Sequence, residues 1–190
     1  IPEQILSDGG HFERSPMYQA TLLEDVLDLV NLSRVFPRRF NTGLLAHLEA
    51  TATRMLRWLE VMSHPDGRPS FFNDAAFGIA ADYRPLVAYA GAIGVAVDAR
   101  PLAALEVLPD SGYARLQNGR AAVICDVAPV GPDYIPGHAH ADTLSFELSV
   151  DGVRALVNSG TSTYERSPER LRQRGTAAHN TVVVDGLDSS

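Results

Sequence analysis

The sequence predicts an α+β fold in two parts, a helical part over residues 1–97 and an antiparallel β part over residues 98–190. Before about residue 95, apolar residues recur at the three- and four-residue spacing of one helix face. After about residue 105, they alternate with polar residues between hairpin signals. Helices followed by a run of strands are typical of α+β proteins or of two adjoining domains.

Three helices are predicted in the first part. Ser15 is a good N-cap and Pro16 suits the first helical position, so a helix begins there and ends before Pro37. An apolar stripe over residues 42–62 predicts a second helix. A shorter helix is predicted over residues 85–92.

Strands are predicted in the second part wherever apolar and polar residues alternate. Two dipeptides, Asn118-Gly119 and Asp151-Gly152, are typical of the turns that join hairpin strands. The predicted strands are residues 113–116, 121–125, 143–150, 153–157 and 178–184.

Composition excludes several classes of function. Sixteen basic and 23 acidic residues give a net charge of −7, which argues against binding to nucleic acid or to an anionic membrane surface. Cys125 is the single cysteine, so no disulfide can form within the chain. No run of about 18 apolar residues occurs, so no membrane span is predicted. The chain starts without an initiator Met or a signal peptide and stops soon after an apolar run, so we expect both ends to be cut from a longer protein. Nothing in the sequence predicts an oligomeric state.

The densest cluster of reactive side chains is His138, His140 and Asp142. Because side chains alternate along an extended strand, the three would share one face if this segment is extended. Polar groups this concentrated beside a half-buried strand are costly unless they are paired, ligated or used. We interpret the cluster as a functional site; the alternative is that its histidines are structural or solvated.

A second cluster lies near the start of the chain, where the glycine-rich run Asp8-Gly9-Gly10 leads into the first helix. Tyr18 falls in the first turn of that helix, where the positive end of the helix dipole favours an anion, including a tyrosinate. The alternative is that Tyr18 packs against the loop and that Glu13-Arg14 is a surface ion pair.

A third cluster is His179-Asn180, at the start of the last apolar run. A histidine there could meet the face that carries His138 and His140 across a sheet. The alternative is a capping or hydrogen-bonded histidine at a sheet edge.

These clusters and one further segment form an ordered set of motifs along nearly the whole chain. The motifs are DGGHFERSPMY at residues 8–18, GHAHAD at residues 137–142 followed by LSFEL at 144–148, LVNSGT at 156–161 with Tyr164, and RGTAAHNT at 174–181. Together they resemble the heparinase II/III-like polysaccharide lyases. The resemblance implies that residues 1–97 are the last helices of an (α/α) toroid and that residues 98–190 are the first part of an antiparallel β-sandwich.

The resemblance also implies an activity, the cleavage of a uronic-acid-containing polysaccharide by β-elimination, which leaves a C4–C5 unsaturated uronate. This chemistry requires a neutralised carboxylate, a base for the C5 proton and an acid for the departing O4. Tyr18 aligns with the family's catalytic tyrosine, as acid and base, and His138 with its catalytic histidine. The expected partner is an acidic polysaccharide and the expected location is periplasmic or secreted. The residues predicted to bind substrate are His11, Glu13, Arg14, Tyr164 and Asn180.

The same resemblance implies a structural zinc ion and no organic cofactor. His140 and His179 align with zinc ligands of some members, and the position of the usual third ligand, an Asp, is Asn158 in this chain. An amide is a poorer zinc ligand than a carboxylate, which weakens the predicted site. Family members also carry an Asn, often with a His, in an earlier helix that grips the substrate carboxylate. No such segment precedes Ile1, so we expect this chain to lack part of the carboxylate site.

Two other classes of function are left open by the sequence. The first is a non-catalytic carbohydrate-binding or structural β-sandwich module. The second is a metal-dependent hydrolase, because His138, His140 and Asp142 resemble the HxHxD motif of metallo-β-lactamase-type enzymes. A lyase requires Tyr18 and His138 at one cleft, whereas a binding module requires neither.

Overall fold

A computed structural model describes residues 3–132 and 134–189. Three helices come first, then five strands, then a short helix and a 3₁₀ turn. In chain order these are α1 (Pro16–Val35), α2 (Thr42–Val61), α3 (Tyr83–Ala92), β1 (Leu105–Leu108), β2 (Tyr113–Gln117), β3 (Ala121–Asp126), β4 (Phe146–Val150), β5 (Val153–Leu156), α4 (Pro168–Arg174) and the turn Thr176–Ala178. The α+β class is therefore confirmed, while the domain boundary at residue 97 stays a prediction.

The helices begin where the sequence predicts. Ser15 caps α1 by accepting a hydrogen bond from the Tyr18 backbone N–H at 3.3 Å, and Asn41 caps α2 by accepting one from the Leu44 N–H at 2.6 Å. The apolar stripes of α1, α2 and α3 bury one continuous core, to which each fully buried leucine contributes about 1.5–3 kcal/mol. None of the helices in the described ranges is long and apolar enough to cross a membrane.

The five strands form one antiparallel sheet in the order β1-β2-β3-β4-β5. Both predicted hairpins are confirmed, β2–β3 around Asn118-Gly119 and β4–β5 around Asp151-Gly152. Asp151 and Gly152 have φ angles of 49° and 82°, the consecutive left-handed conformations that a two-residue hairpin loop requires.

The two faces of this sheet differ in what covers them. One face packs Tyr113 and Ile124 against Trp58, Met62 and Phe72 at the end of α2 and just after it. The opposite face is apolar but partly exposed, and its most exposed side chains include Leu105, Val107 and Leu116. A second layer on that face is what the β-sandwich prediction requires.

Two strand predictions are wrong in extent. Residues 178–184 form no strand, because β4 is already paired with β3 on one side and with β5 on the other. Within β4, Phe146, which is not paired with β5, is the residue that bonds this segment: its N–H donates to the Asn180 carbonyl at 3.3 Å. The strand predicted over residues 143–150 begins only at Phe146, because Leu144 has a φ of 61° and breaks the extended conformation.

The segment that contains His138, His140 and Asp142 is also irregular instead of extended, so the predicted common face does not exist. Two elements lie outside the predicted set, β1 and α4. The start of α4 has the signals of a helix, since Ser167 caps it and Pro168 occupies its first position.

Candidate active site

The predicted catalytic residues Tyr18 and His138 lie against each other. Tyr18 is the third residue of α1 and is placed by the Ser15 cap. His138 lies in the loop before β4, so it approaches from the other part of the chain. Their ring centroids are 4.2 Å apart with the rings tilted by 42°. The His138 side chain is 27% exposed, so the pair is open to a ligand.

Three of the residues predicted to bind substrate surround this pair. The Tyr18 hydroxyl donates to the Tyr164 hydroxyl at 3.0 Å, and the Tyr164 ring lies 6.0 Å from the His138 ring. Glu13 Oε1 lies 3.9 Å from His138 Nε2, and Glu13 Oε2 lies 3.7 Å from His11 Nδ1. The structure therefore brings five predicted site residues into one cluster.

A fully buried carboxylate, Asp74, supports the cluster from behind. Its Oδ2 accepts from His138 Nδ1 at 2.8 Å and its Oδ1 from His140 Nε2 at 2.9 Å. The Arg170 guanidinium binds both oxygens, with Nη2 2.7 Å from Oδ2. Burial raises the pKa of Asp74, but the hydrogen bonds from His140, Arg170 and His138 outweigh it and hold that pKa well below its usual range. Asp74 is therefore ionised in the folded protein.

The surroundings of the pair shift the pKa values of three nearby groups, His11, Glu13 and Tyr164. Burial, followed by the charge of His138, lowers the pKa of His11 to about 4. Burial also raises the pKa of Glu13, and the charge of Asp74 adds to this while His138 opposes it. Burial and the hydrogen bond from Tyr18 raise the pKa of the Tyr164 phenol above its ordinary value. The cleft thus offers a neutral His11 imidazole and a neutral Tyr164 phenol beside the buried negative charge of Asp74.

Two residues predicted to bind substrate, Arg14 and Asn180, are instead bonded to backbone. Arg14 adopts a left-handed φ of 58° and donates to the Pro129 carbonyl at 2.6 Å, which ties α1 to the loop that leads to His138. The Asn180 amide donates to the Phe146 carbonyl at 3.1 Å, at the start of β4. In this structure both side chains position loops.

The two histidines predicted to bind zinc lie in the buried region beside Asp74. The rings of His140 and His179 are both buried, with centroids 5.2 Å apart. His140 Nδ1 and both ring nitrogens of His179 have no hydrogen-bond partner among the described residues. Unpaired buried nitrogens are costly, and a shared metal ion would satisfy one nitrogen of each ring.

The donor chemistry of this inner site also suits a metal. Burial and the charge of His140 lower the pKa of His179 to about 4, so the imidazole is in the neutral form that binds metals. Asn158 is buried, and its Oδ1 accepts from the Asn180 N–H at 3.0 Å. In the described part of the chain no group of three or more His, Cys, Asp or Glu side chains could hold a metal ion. A site here therefore needs Asn158 or a water as its third ligand.

The hydrolase alternative is not supported by the geometry of its three residues. His138 and His140 both turn a ring nitrogen to Asp74. Asp142 is buried and accepts from the Asn73 N–H at 3.0 Å. The three side chains are each paired and do not converge on one metal position.

Sequence reasoning missed Asp74, Asn73 and Arg170. Asn73 accepts from the His140 N–H at 2.9 Å and donates its N–H to Asp142, so it fixes the loop that carries both histidines. The one available signal was a polar pair, Asn73-Asp74, in a stretch without helical or strand periodicity. Arg170 is one of several arginines near α4, and the sequence does not distinguish it from the others.

Comparisons with solved structures agree with this fold. The crystal structure of the heparan sulfate lyase HepC from Pedobacter heparinus matches 97% of this chain and 31% of its own, with 20% identity and a TM-score of 0.73. The Heparinase III-BT4657 gene product matches with 21% identity, a TM-score of 0.75 and the same coverage. A structure of heparinase III matches 97% of this chain and 33% of its own, with 19% identity and a TM-score of 0.77.

At these identities the likeness shows the fold, and the chain spans about a third of the length of the solved structures. The comparison with curated proteins gives no match. Residues 100–190 match the family model described as Heparinase II/III-like, C-terminal. The resemblance identified from the motifs is thus confirmed, because the family model and the solved structures of similar fold both carry heparinase or heparan sulfate lyase names.

Proposed function

We propose that this chain is part of a polysaccharide lyase that cleaves a uronic-acid-containing polysaccharide by β-elimination. The observation that carries the proposal is the contact between Tyr18 and His138, whose ring centroids are 4.2 Å apart although the residues belong to different parts of the chain. A phenol and an imidazole at one cleft supply two proton-transferring groups, which is what an elimination requires. A binding module has no need of this pairing.

The reaction divides into proton transfers that the pair can serve. The C5 proton of the uronate passes to a base, the C4–O4 bond breaks, and a double bond forms between C4 and C5. The departing O4 takes a proton from Tyr18. His138 has Nδ1 bonded to Asp74, so Nε2 is the nitrogen available to the substrate, beside the Tyr18 ring. The nearby Tyr164 hydroxyl, whose pKa is raised above its ordinary value, stays protonated and holds the Tyr18 hydroxyl in place.

The proposed substrate is an acidic polysaccharide, and the proposed location is periplasmic or secreted, where such polymers are degraded. Similarity in fold to a structure named as a heparan sulfate lyase supports this class of substrate. We also propose that His140 and His179, with Asn158 or a water, hold a structural zinc ion. Zinc there would satisfy one unpaired nitrogen of each ring and tie the loop of His140 to the segment after the 3₁₀ turn.

The test uses the full-length protein with heparan sulfate, alginate and a neutral glucan as separate substrates. We expect a uronate polymer to yield products with the ultraviolet absorbance of a C4–C5 double bond, and the neutral glucan to yield none. Tyr18→Phe keeps the ring but removes the hydroxyl, so turnover should fall by about 10²-fold or more. Tyr89→Phe is the matched control, because the Tyr89 hydroxyl bonds Asp28 at a distant surface.

Three outcomes would contradict the proposal. Saturated products with new reducing ends would show hydrolysis. Binding of the polymer without any cleavage would favour the non-catalytic module. Full activity of Tyr18→Phe would show that the proton-transferring group is a different residue.

A further inference from the structure

The carboxylate of Asp74 contacts both histidines of the 137–142 loop. Its two oxygens receive four donors, one nitrogen each from His138 and His140 and two from Arg170. The Asp74 side chain is fully buried, so these four donors use its whole capacity to accept hydrogen bonds. No water is needed to complete its coordination.

The backbone of Asp74 is tied to the same site. Its N–H donates to the His138 carbonyl at 3.1 Å, and its carbonyl accepts from the Ser15 hydroxyl. The same Ser15 oxygen caps α1 by accepting from the Tyr18 N–H. Asp74 is therefore connected both to His138 and to the turn that places Tyr18.

An ionised carboxylate can only accept hydrogen bonds, so each ring nitrogen that faces Asp74 must carry a proton. The nitrogen that faces it is Nδ1 in His138 and Nε2 in His140. In a neutral imidazole the other nitrogen is then unprotonated. That leaves Nε2 of His138 free beside Tyr18, and Nδ1 of His140 free beside the His179 ring.

We propose that Asp74 is a positioning residue that holds His138 and His140 in opposite tautomers, with the proton on Nδ1 of His138 and on Nε2 of His140. One carboxylate thereby directs a basic nitrogen toward the cleft and another toward the interior. The cleft-facing nitrogen serves proton transfer, and in this respect the inference rests on the proposed function. The interior nitrogen is the one that could ligate a metal, in the way that a carboxylate orients a ligating histidine.

The direct test is nitrogen-15 NMR of the full-length protein labelled at histidine, without metal, at a pH well above the ordinary histidine pKa of about 6.5. Signals are assigned with His138→Gln and His140→Gln. We expect an unprotonated Nε2 in His138 and an unprotonated Nδ1 in His140. The same tautomer in both residues, a reversed pair, or a doubly protonated ring in either would overturn the proposal. This measurement requires no change at Asp74, so it decides the matter even if Asp74 variants do not fold.

A double-mutant cycle tests whether Asp74 acts through His138. Asp74→Asn should lower kcat by about 10-fold or more with little change in KM, since a carboxylate that orients a functional histidine contributes on this scale. In a His138→Ala background the same change should cost less than about twofold, because the group that it positions is gone. Equal losses in both backgrounds would show a general structural role and overturn the proposal. Asp66→Asn is the control, because Asp66 forms an outlying ion pair with Arg154.

The two proposals fail separately. If no uronate polymer is cleaved, the proposed function fails, while the tautomers measured by NMR still decide the role of Asp74. If elimination is observed but the tautomers differ from the expected pair, the lyase assignment stands and the role of Asp74 is wrong.

Discussion

His138 and His140 are two residues apart on one irregular loop and bond the same carboxylate, yet their surroundings are opposite. The His138 side chain is 27% exposed and lies against Tyr18, whereas the His140 side chain is fully buried beside His179. The buried Asp74 lies between a partly exposed side, at His138 and Tyr18, and a buried side, at His140 and His179. These are called the cleft side and the inner side. The comparison teaches that residues on the cleft side should control rate and residues on the inner side should control stability.

The largest effect is expected on the cleft side. His138→Ala in the full-length protein should lower kcat by about 10²–10⁴-fold, since it removes an acid–base group. The free energy of unfolding should fall by about 1–3 kcal/mol, because one of the four donors to the buried Asp74 carboxylate is lost. The initial rate at which ultraviolet absorbance increases measures kcat, and a thermal melt measures the change in stability. His47→Ala, at an exposed position of α2, is the control. Turnover near the wild-type rate would remove His138 from the mechanism.

The next effect is expected on the inner side, from zinc. At a free zinc concentration about 100 times the Kd, the folded protein should gain about 2.7 kcal/mol of stability. His179→Ala should lose this gain, because it removes one of the two imidazole ligands. Thermal melts with zinc and with a chelator measure the difference, and His47→Ala should keep the zinc effect. If zinc stabilises His179→Ala as much as wild type, the ion binds elsewhere.

A smaller effect is expected from the third ligand. Asn158→Asp replaces an amide with the carboxylate that zinc prefers, so zinc should bind about tenfold more tightly or better. The Asn180 N–H can still donate to the new carboxylate as it does to the amide oxygen. Competition with a coloured chelator gives the Kd. Asn31→Asp, in α1 near Tyr89, is the control. Unchanged affinity would place residue 158 outside the metal's coordination.

The smallest effect, on the free energy of unfolding as the pH changes, is expected from Asp126, which touches neither histidine. Burial, followed by the charge of Asp142, raises the pKa of Asp126 to about 8, because it lacks the donors that keep Asp74 ionised. Its ordinary pKa is about 3.9, so between these values the folded state binds more protons than the unfolded state. The free energy of unfolding should therefore fall as the pH rises from about 4 to about 8.

Asp126→Asn should reduce that fall, because the amide does not ionise and can still accept from the Ala128 N–H. Part of the slope should remain, since burial also raises the pKa of Asp142. Denaturant melts over the same pH range measure it. Asp151→Asn, which removes an exposed partner of Arg120, should leave the slope in this range unchanged. An Asp126→Asn slope equal to that of wild type would show that Asp126 does not titrate there.

Local patterns predicted the elements that depend on local energetics. The Ser15 cap, the helix stripes and the Asn118-Gly119 and Asp151-Gly152 hairpins all form as predicted, because each rests on backbone preferences of a few adjacent residues. The strand predicted at residues 178–184 does not form, because it depends on contacts that are not local. A strand needs a partner edge, and whether β4 has a free edge depends on β3 and β5.

The sequence by itself determined the α+β class, the family and the residue types of the site, since Tyr18, His138, His140 and His179 stand in recognisable motifs. Only the tertiary structure decided how they are used. Asp74 and Arg170 are separated by 96 positions, and neither the polar pair Asn73-Asp74 nor the arginines near α4 indicate that the two side chains meet. A buried carboxylate is tolerated only where several donors converge on it, and those donors come from segments that meet only in the folded chain.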